Sequence, residues 1–318
     1  MRLSLAMVVL TILLISACQE QAAEGAKGIA STQFLGGSAG IVPEFLPGNP
    51  PPEVYDGGSF PFDIVVRLTN KGEFPVPASR VKVMISGILA NEFGVSSGAL
   101  VSGPTEDVLA RQQDAEGNIL EPSPSFAEFV GLNHRSPIVG SVQRFPLQAS
   151  VCYNYGTVAS TTLCSRENIL NPDANGICTI NEDKTIENSG APVQISSVRE
   201  SARAADKVGF TFKIMHAGQG EIYAPGSGCD KVDRRNENRV AVRVSSGIPG
   251  LSCSGLEGGA DGTTTLFGGE KTITCTQQIP SSADFEFPVT IEAAYDYEDR
   301  ITTEIAVKRS ETRVGQAP

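Results

Sequence analysis

Apolar and polar residues alternate along much of this chain, in blocks separated by residues that favour turns. Alternation is clearest over Phe60–Leu68 and over Phe145–Tyr155. Because successive side chains of an extended strand point to opposite faces, a period of two predicts half-buried β-strands. Gly, Pro, Asn and Asp cluster at residues 47–52, 70–72 and 258–262, and these clusters predict turns between the strands.

Three of these blocks recur in the second half of the chain, in the same order. Residues 145–155 match residues 287–297 at a displacement of 142, residues 80–88 match 239–248, and residues 62–72 match 208–218. Ordered blocks with unequal spacers indicate two copies of one fold whose loops have diverged. The second copy carries 13 extra residues between Gly218 and Arg239, and this insert contains Cys229.

The predicted fold class is all-β, with two tandem immunoglobulin-like β-sandwich domains. Antiparallel strands with one polar face, in units of about 100 residues or more, are typical of such sandwiches. The predicted organisation is a signal peptide at 1–17, a lipid-anchored tether at 18–32, a first sandwich at 33–164, a disulfide-stapled linker at 165–189, a second sandwich at 190–309 and a tail at 310–318.

Two short segments carry a resemblance to known families. The string Phe62–Pro77, with its Thr-Asn-Lys-Gly turn, resembles the CARDB type of immunoglobulin-like domain found in prokaryotic cell-surface proteins. Both halves together, with the strand Cys152–Thr157, also resemble uncharacterised archaeal envelope proteins over most of residues 33–309. The resemblance implies an adhesion or spacer module and transfers no catalytic residue. The second copy has Ala294 where the first has Cys152, so that cysteine lies outside the repeated frame.

The first eighteen residues predict export. An apolar run of 13 residues, Leu3–Ile15, follows Met1-Arg2, and it is shorter than the roughly 20 residues of a membrane-spanning helix. Its length and flanks are typical of a secretion signal. Ile15–Cys18 resembles the lipobox of prokaryotic lipoproteins, which implies that Cys18 carries a lipid as the first mature residue. The alternative is an ordinary cleaved signal followed by an incidental cysteine.

The expected location is therefore the cell envelope, membrane-anchored and facing outside the cytoplasm. The segment from Gln19 to Thr32 is rich in Ala, Gly, Gln and Glu, a composition typical of a flexible tether. The chain has 25 Lys and Arg against 36 Asp and Glu, and loss of residues 1–17 changes the net charge from −11 to −12. So acidic a chain argues against a nucleic-acid partner, because phosphates require clustered basic residues.

Six cysteines remain after Cys18, and an even number in an exported chain predicts three disulfides. They are Cys152, Cys164, Cys178, Cys229, Cys253 and Cys275. Zinc is the alternative, but no two of them lie closer than 12 positions, whereas zinc sites usually contain close pairs. Six cysteines allow 15 pairings. Short loops favour Cys164–Cys178 and Cys253–Cys275, which leaves Cys152 and Cys229 for a link between the two domains.

The segment 171–182 matches the order of an oxygen-rich calcium loop. Asn171, Asp173 and Asn175 occupy places 1, 3 and 5, Gly176 occupies place 6 and Glu182 occupies place 12. The alternative interpretation is a linker rich in Asn, Asp and Gly that a disulfide staples, with no cofactor. It is favoured because place 2 is proline, place 8 is cysteine, and no helix signal flanks the loop.

Candidate catalytic residues are few, and none is assigned. His134 lies in an expected loop, and His216 takes the place of Asn70 in the repeat, where capping of a turn is its expected role. Asp296, Glu298 and Asp299 follow the second tyrosine pair and are expected at a solvated hairpin tip. The tyrosines are expected to pack in the core.

The sequence thus favours a non-enzymatic cell-surface lipoprotein with an adhesion, assembly or spacer role. Its expected partners are the membrane, through the lipid, and other envelope proteins or further copies of itself. One alternative is a lipoprotein that binds sugar or calcium as an accessory to a transporter or envelope enzyme. The other is a hydrolase whose site no motif marks.

Overall fold

The structure is a computed structural model that describes residues 34–171, 176–280 and 283–310. Within these residues the fold is all-β, as predicted, with several antiparallel sheets. Short 3₁₀ helices lie at Ala78–Arg80, Ser97–Leu100 and Arg234–Asn236. No helix in the described ranges is long and apolar enough to cross a membrane. The predicted signal peptide and Cys18 lie outside the described residues.

Nine strands come from the first half of the chain. They are β1 (Ile41–Phe45), β2 (Glu53–Tyr55), β3 (Phe62–Asn70), β4 (Val81–Ser86), β5 (Val101–Ser102), β6 (Gln112–Gln113), β7 (Ile119–Leu120), β8 (Ser125–Leu132) and β9 (Val142–Ser165). The alternation seen in the sequence matches burial on β3, where the apolar positions of one face are all buried.

Ten strands come from the second half. They are β10 (Asp183–Lys184), β11 (Ile186–Asn188), β12 (Val193–Ala204), β13 (Lys207–His216), β14 (Glu221–Tyr223), β15 (Arg239–Ser245), β16 (Leu251–Ser254), β17 (Asp261–Thr265), β18 (Glu270–Gln278) and β19 (Phe285–Lys308). Sheets form from β1-β3-β8, from β10-β12-β13-β18-β16, from the hairpin β6-β7, and from nine strands whose main path is β17-β15-β19-β9-β4-β5.

Strands β9 and β19 form the centre of the nine-stranded sheet. Each has 24 residues, and they pair antiparallel along their whole length, from Val142 opposite Lys308 to Ser165 opposite Phe285. At about 3.3 Å per residue the pair spans roughly 80 Å. β9 pairs with β4 near one end and with β11 near the other, so it takes part in both halves of the molecule.

The strand register follows the sequence repeat. Tyr153 lies opposite Tyr297, and Tyr155 lies opposite Tyr295. A displacement of 142 residues converts one of these tyrosine pairs into the other. A pseudo-two-fold axis therefore passes between the two pairs, at the point where Asn154 of β9 lies opposite Asp296 of β19. The flanking strands obey the same relation: β4 places Val83 opposite Val151, and β15 places Val242 opposite Ala293.

The sheets that contain β1 and β12 pack onto this long sheet, where β1 contacts β19 and β12 contacts β9. Buried apolar side chains from these four strands belong to one contiguous core. Its burial provides the main favourable free energy of folding. The division into sandwiches at 33–164 and 190–309 stays a prediction, because both the long strands and the core continue from one half into the other.

Among the described residues, three disulfides form: the two pairs that loop length favoured and the pair that was left for a link between the domains. They are Cys164–Cys178 at a sequence separation of 14, Cys253–Cys275 at 22 and Cys152–Cys229 at 77. The last connects β9, from the first half, to the insert of the second half. It therefore holds the two copies together covalently.

Candidate functional site

Four tyrosines from the repeated block lie side by side at the pseudo-two-fold axis. Tyr153, Tyr155, Tyr295 and Tyr297 are at most 1 % exposed. Neighbouring rings lie 5.6–6.3 Å apart between centroids. Packing in the core is thus the arrangement expected from the sequence. A buried phenol requires a hydrogen-bond partner for its hydroxyl, and those partners define the chemistry of this centre.

Tyr153 and its repeat equivalent Tyr295 bind the same kind of backbone group. The Tyr153 hydroxyl accepts from the Ile41 N–H at 3.1 Å and lies 3.1 Å from Oδ2 of Asp299, to which it donates. The Tyr295 hydroxyl accepts from the Val193 N–H at 3.3 Å and lies 3.1 Å from the hydroxyl of Thr157.

Thr157 and Asp299 are themselves repeat equivalents, since they are 142 residues apart. One position of the repeat therefore contributes a neutral hydroxyl at one end of the tyrosine cluster and a carboxyl group at the other. This exchange makes the two ends chemically different, although their backbones match.

Tyr155 and Tyr297 show a similar exchange. The Tyr155 hydroxyl donates to Oδ1 of Asn70 at 2.9 Å, and Nε2 of His216 lies 3.0 Å from the Tyr297 hydroxyl. Asn70 caps its turn directly, because its Oδ1 also accepts the Gly72 N–H. His216 reaches the equivalent turn through Tyr297, whose hydroxyl accepts the Gly220 N–H at 2.7 Å. Partial burial lowers the pKa of His216.

A cleft of about 300 Å³ opens beside this end of the cluster. Its walls are Ser38–Pro43, Pro192, Ala217–Gln219, Tyr297 and Asp299–Ile301. Burial, with a smaller contribution from the charge of Glu298, raises the pKa of Asp299 to about 6 against the opposing effect of the Tyr153 hydrogen bond. A concave apolar pocket with a few converging polar groups and a shifted pKa is the usual form of a ligand site. This cleft is the candidate functional site.

The opposite face of β19 carries a buried carboxylate, Asp296, which is 3 % exposed. It accepts hydrogen bonds from the N–H groups of Gly226 at 3.0 Å and Gly228 at 2.7 Å. The side chain of Asn154, directly opposite on β9, donates at 3.1 Å. The insert of the second copy thus folds over β19, and the Cys152–Cys229 disulfide fastens it there.

Glu298 lies two residues along the same face and is 4 % exposed. Nζ of Lys231 approaches its Oε1 to 2.6 Å, and the Arg300 guanidinium also bonds to it. Arg300 bridges onward to Glu221 on β14. A buried carboxylate is tolerated when paired cations and hydrogen bonds compensate for its lost hydration.

The expectation of a solvated hairpin tip at Asp296, Glu298 and Asp299 was therefore wrong. These residues lie in the middle of β19, paired with β9 on one side. Adjacent charged residues look like a turn in sequence because charge usually requires water. Here Gly226, Gly228 and Lys231 of the insert take the place of water, and the 13 extra residues that include Cys229 were the sequence signal for that cover.

His134 and Glu200 are among the other titratable residues that are buried in the described part of the chain. His134 follows β8 in a loop, as expected, but it is only 4 % exposed and packs against Phe93 and Phe145. Glu200 of β12 is fully buried and accepts the Cys164 N–H at 2.9 Å. Burial raises the pKa of Glu200 to about 7. No motif marked Glu200 in the sequence.

The predicted calcium loop is described in part. Asp173 and Asn175 lie outside the described residues. Asn171 donates its N–H to the side chain of Asn168 at 3.1 Å, and Glu182 accepts from Lys184 at 2.6 Å. Among the described residues, His, Cys, Asp and Glu do not gather in threes that could hold a metal ion. The calcium site stays a prediction.

Comparison with known proteins adds little to this picture. No family model matches the chain, and no curated protein matches it. Among solved structures, the collagen-binding domain of the Erysipelothrix rhusiopathiae surface protein RspB aligns with 85 % of this chain and 94 % of its own, at 10 % identity and a TM-score of 0.13. A likeness at that score carries no argument about fold or function.

Proposed function

We propose that this protein is a non-enzymatic cell-surface lipoprotein that acts as a rigid spacer and presents surfaces for adhesion or assembly. One observation carries the proposal: β9 and β19 pair without interruption over 24 residues and belong to both halves. Two domains on a flexible linker move independently, whereas a shared pair of strands keeps the halves in one orientation. The Cys152–Cys229 disulfide reinforces that connection.

An extracytoplasmic location agrees with the three disulfides, because such bonds persist in oxidising compartments and are rare in the cytosol. The finer part of the proposal is a lipid on Cys18 that holds this body at the membrane surface. CARDB-like modules, which the sequence resembles, have the same adhesion or spacer role.

The anchor is tested with Cys18→Ala. We expect the wild-type protein in the membrane fraction with an N-terminal mass that includes lipid, and the variant in the soluble exported fraction. Protease added to intact cells should degrade the wild-type protein, which reports exposure outside the cytoplasm. An unlipidated N-terminus on the wild-type protein would contradict the anchor and leave the rigid body unaffected.

The spacer role is tested by distance measurement between the halves. Val139 and Phe267 are 93 % and 74 % exposed, so cysteine-directed spin labels there would lie far from the core. We expect one narrow distance distribution in the wild-type background and a broader one after Cys152→Ala with Cys229→Ala. A broad, multi-peaked distribution with the disulfide intact would overturn the rigid spacer.

A second candidate is a ligand-binding lipoprotein, favoured by the cleft beside Asp299. For calcium, the test is a titration of the melting temperature in the wild-type protein and in Asp173→Ala. A saturable rise that the substitution abolishes would support it. For sugars, a panel of mono- and disaccharides tested against wild type and Ile301→Trp, which fills the cleft, separates binding in the cleft from binding elsewhere.

A further inference from the structure

One edge of β19 lacks a strand partner in the described residues. β15 pairs with this edge through residues 290–294, β14 pairs through 296–298, and β2 pairs through 306–308. Between them lies a stretch from Asp299 to Ile305, which we call the edge gap. The hydrogen bond from the Ala306 N–H to the Pro52 carbonyl shows that even-numbered residues point their backbone groups toward this edge. By strand alternation Thr302 points the same way.

The repeat-equivalent stretch of β9 shows what kind of strand can pair with such an edge. A displacement of 142 converts Ile301, Thr302 and Thr303 into Ala159, Ser160 and Thr161. Those three residues of β9 pair antiparallel with β11, Ile186–Asn188. Among the described residues, one half therefore covers this edge with a strand, and the other half does not.

Burial agrees with this difference between the halves. Ala159 and Thr161 are 0 % and 4 % exposed, whereas their equivalents Ile301 and Thr303 are only half-buried and Thr302 is exposed. Ile301 also lines the cleft that contains Asp299. The edge gap and the cleft are thus continuous: one offers backbone groups, and the other offers space for a side chain.

The segment that precedes β1 takes a different path from the segment that precedes β12. β11 lies in the segment before β12 and pairs with β9, but the equivalent residues before β1 bind elsewhere. The N–H groups of Leu35 and Gly36 donate to the carboxylate of Glu73, at 3.0 and 2.9 Å. Glu73 also accepts the Gly190 N–H. This carboxylate holds residues 35–36 beside the segment that precedes β12, away from the edge gap.

We propose that the edge gap binds an extended segment of a partner protein, which adds to the sheet antiparallel to β19 in the way that β11 adds to β9. Backbone pairing of this kind supplies affinity, and side-chain pockets supply specificity. The ligand class is an extended peptide. In the register of β11, its residue equivalent to Asn188 lies opposite Ile301 at the cleft, and its residue equivalent to Ile186 lies opposite Thr303. The inference rests on the proposed role in assembly and names the surface that performs it.

The probe is the synthetic peptide Asp183–Ala191 of this chain, which contains β11, with a scrambled peptide as control. The protein is the mature chain with Cys18→Ser. At saturating peptide we expect amide hydrogen exchange at Thr302 to slow by at least tenfold, while Ile301 and Thr303, whose amides face β9, stay unchanged. Unchanged exchange at Thr302 with millimolar peptide would overturn the proposal.

A matched pair of variants tests the backbone contact. Thr302→Pro removes the outward N–H, and Thr302→Ala keeps it. Proline is tolerated in a strand only where no neighbouring strand needs that N–H. Labelled peptide should bind Thr302→Ala like wild type and lose at least tenfold in affinity for Thr302→Pro. Equal affinities would contradict the proposal. The exchange measurement needs no variant, so it decides the question if Thr302→Pro fails to fold.

Other occupants give distinct results. Self-association that Thr302→Pro abolishes, without peptide binding, would assign the edge gap to a second copy and overturn the partner-segment proposal. The N-terminal mass and surface proteolysis test the anchored spacer separately. Failure of the peptide to bind therefore leaves the proposed function standing, and failure of the anchor leaves the edge gap standing.

Discussion

The hydroxyl of Tyr153 donates to the half-buried carboxyl group of Asp299 at 3.1 Å, across the pair of strands that joins the two halves of the molecule. The repeat equivalent of this contact links Tyr295 to Thr157, where a hydroxyl replaces the carboxyl group. The most symmetric part of the core therefore contains a carboxyl group whose repeat counterpart is a neutral hydroxyl, and that carboxyl group lies at the candidate functional site.

Removing the two hydroxyl groups should have unequal effects. Tyr153→Phe leaves both the Ile41 N–H and Asp299 without this partner, and an unsatisfied buried polar group costs about 1–3 kcal/mol. Tyr295→Phe should cost less, about 1 kcal/mol, because Thr157 keeps its bond to the Val193 carbonyl. Urea unfolding measures both, with the exposed Tyr55→Phe as control. Equal losses would contradict the assigned hydrogen bonds.

The pKa of Asp299 predicts a pH-dependent difference in stability. Its pKa of about 6 in the folded protein exceeds the ordinary 3.8, so the folded state binds this proton more tightly than the unfolded chain does. Protonation therefore stabilises the fold, and this contribution is lost as pH rises from about 4 through 6. Glu200, with a pKa of about 7, acts in the same direction at a separate site.

Asp299→Asn removes this titration while keeping an acceptor for Tyr153. We expect the variant to be more stable than wild type at pH 8 by about 1–3 kcal/mol, since a shift of one pKa unit corresponds to about 1.4 kcal/mol and the site is partly hydrated. At pH 4 the difference should nearly vanish. Urea unfolding at both pH values measures the difference in free energy of unfolding between the two proteins. A difference that is constant with pH would contradict the raised pKa of Asp299.

The insert over β19 should loosen when Asp296 loses its charge. Asp296→Asn replaces one acceptor oxygen with a donor that faces the N–H groups of Gly226 and Gly228. We expect a loss of about 2 kcal/mol, in the range for hydrogen bonds to charged groups, and faster proteolysis within residues 224–231. Asp230→Asn, on the exposed part of the same loop, serves as control and should change neither. Unchanged cleavage of Asp296→Asn would contradict the anchoring role.

The disulfides should differ in their contribution to stability. Cys152–Cys229 closes a loop at a separation of 77 residues, and Cys164–Cys178 closes one at 14. The chain-entropy relation gives losses of about 4.5 and about 3 kcal/mol for the respective double alanine variants. Chemical denaturation measures both. Loss of Cys152–Cys229 should also expose the insert to protease, whereas loss of Cys164–Cys178 should not.

Sequence reasoning located the strands well because burial on one face imposes a period of two on the chain itself. The repeat gave the position of Tyr153 relative to Tyr295. Loop length favoured two disulfide pairs, and the two remaining cysteines formed the third. It could not show that residues 142–165 form one strand, since Pro146 and Gly156 interrupt the pattern and only pairing with β19 keeps the backbone extended.

The sequence by itself determined the all-β class and the two copies of one design, because both are written in local alternation and internal similarity. The tertiary structure alone decided where the charges of β19 lie. Asp296 and Glu298 are buried because an insert distant in sequence supplies donors and cations, and the half-buried Asp299 accepts a hydrogen bond from Tyr153 of the other half. The compensation for a buried charge comes from residues far along the chain, so no local pattern contains it.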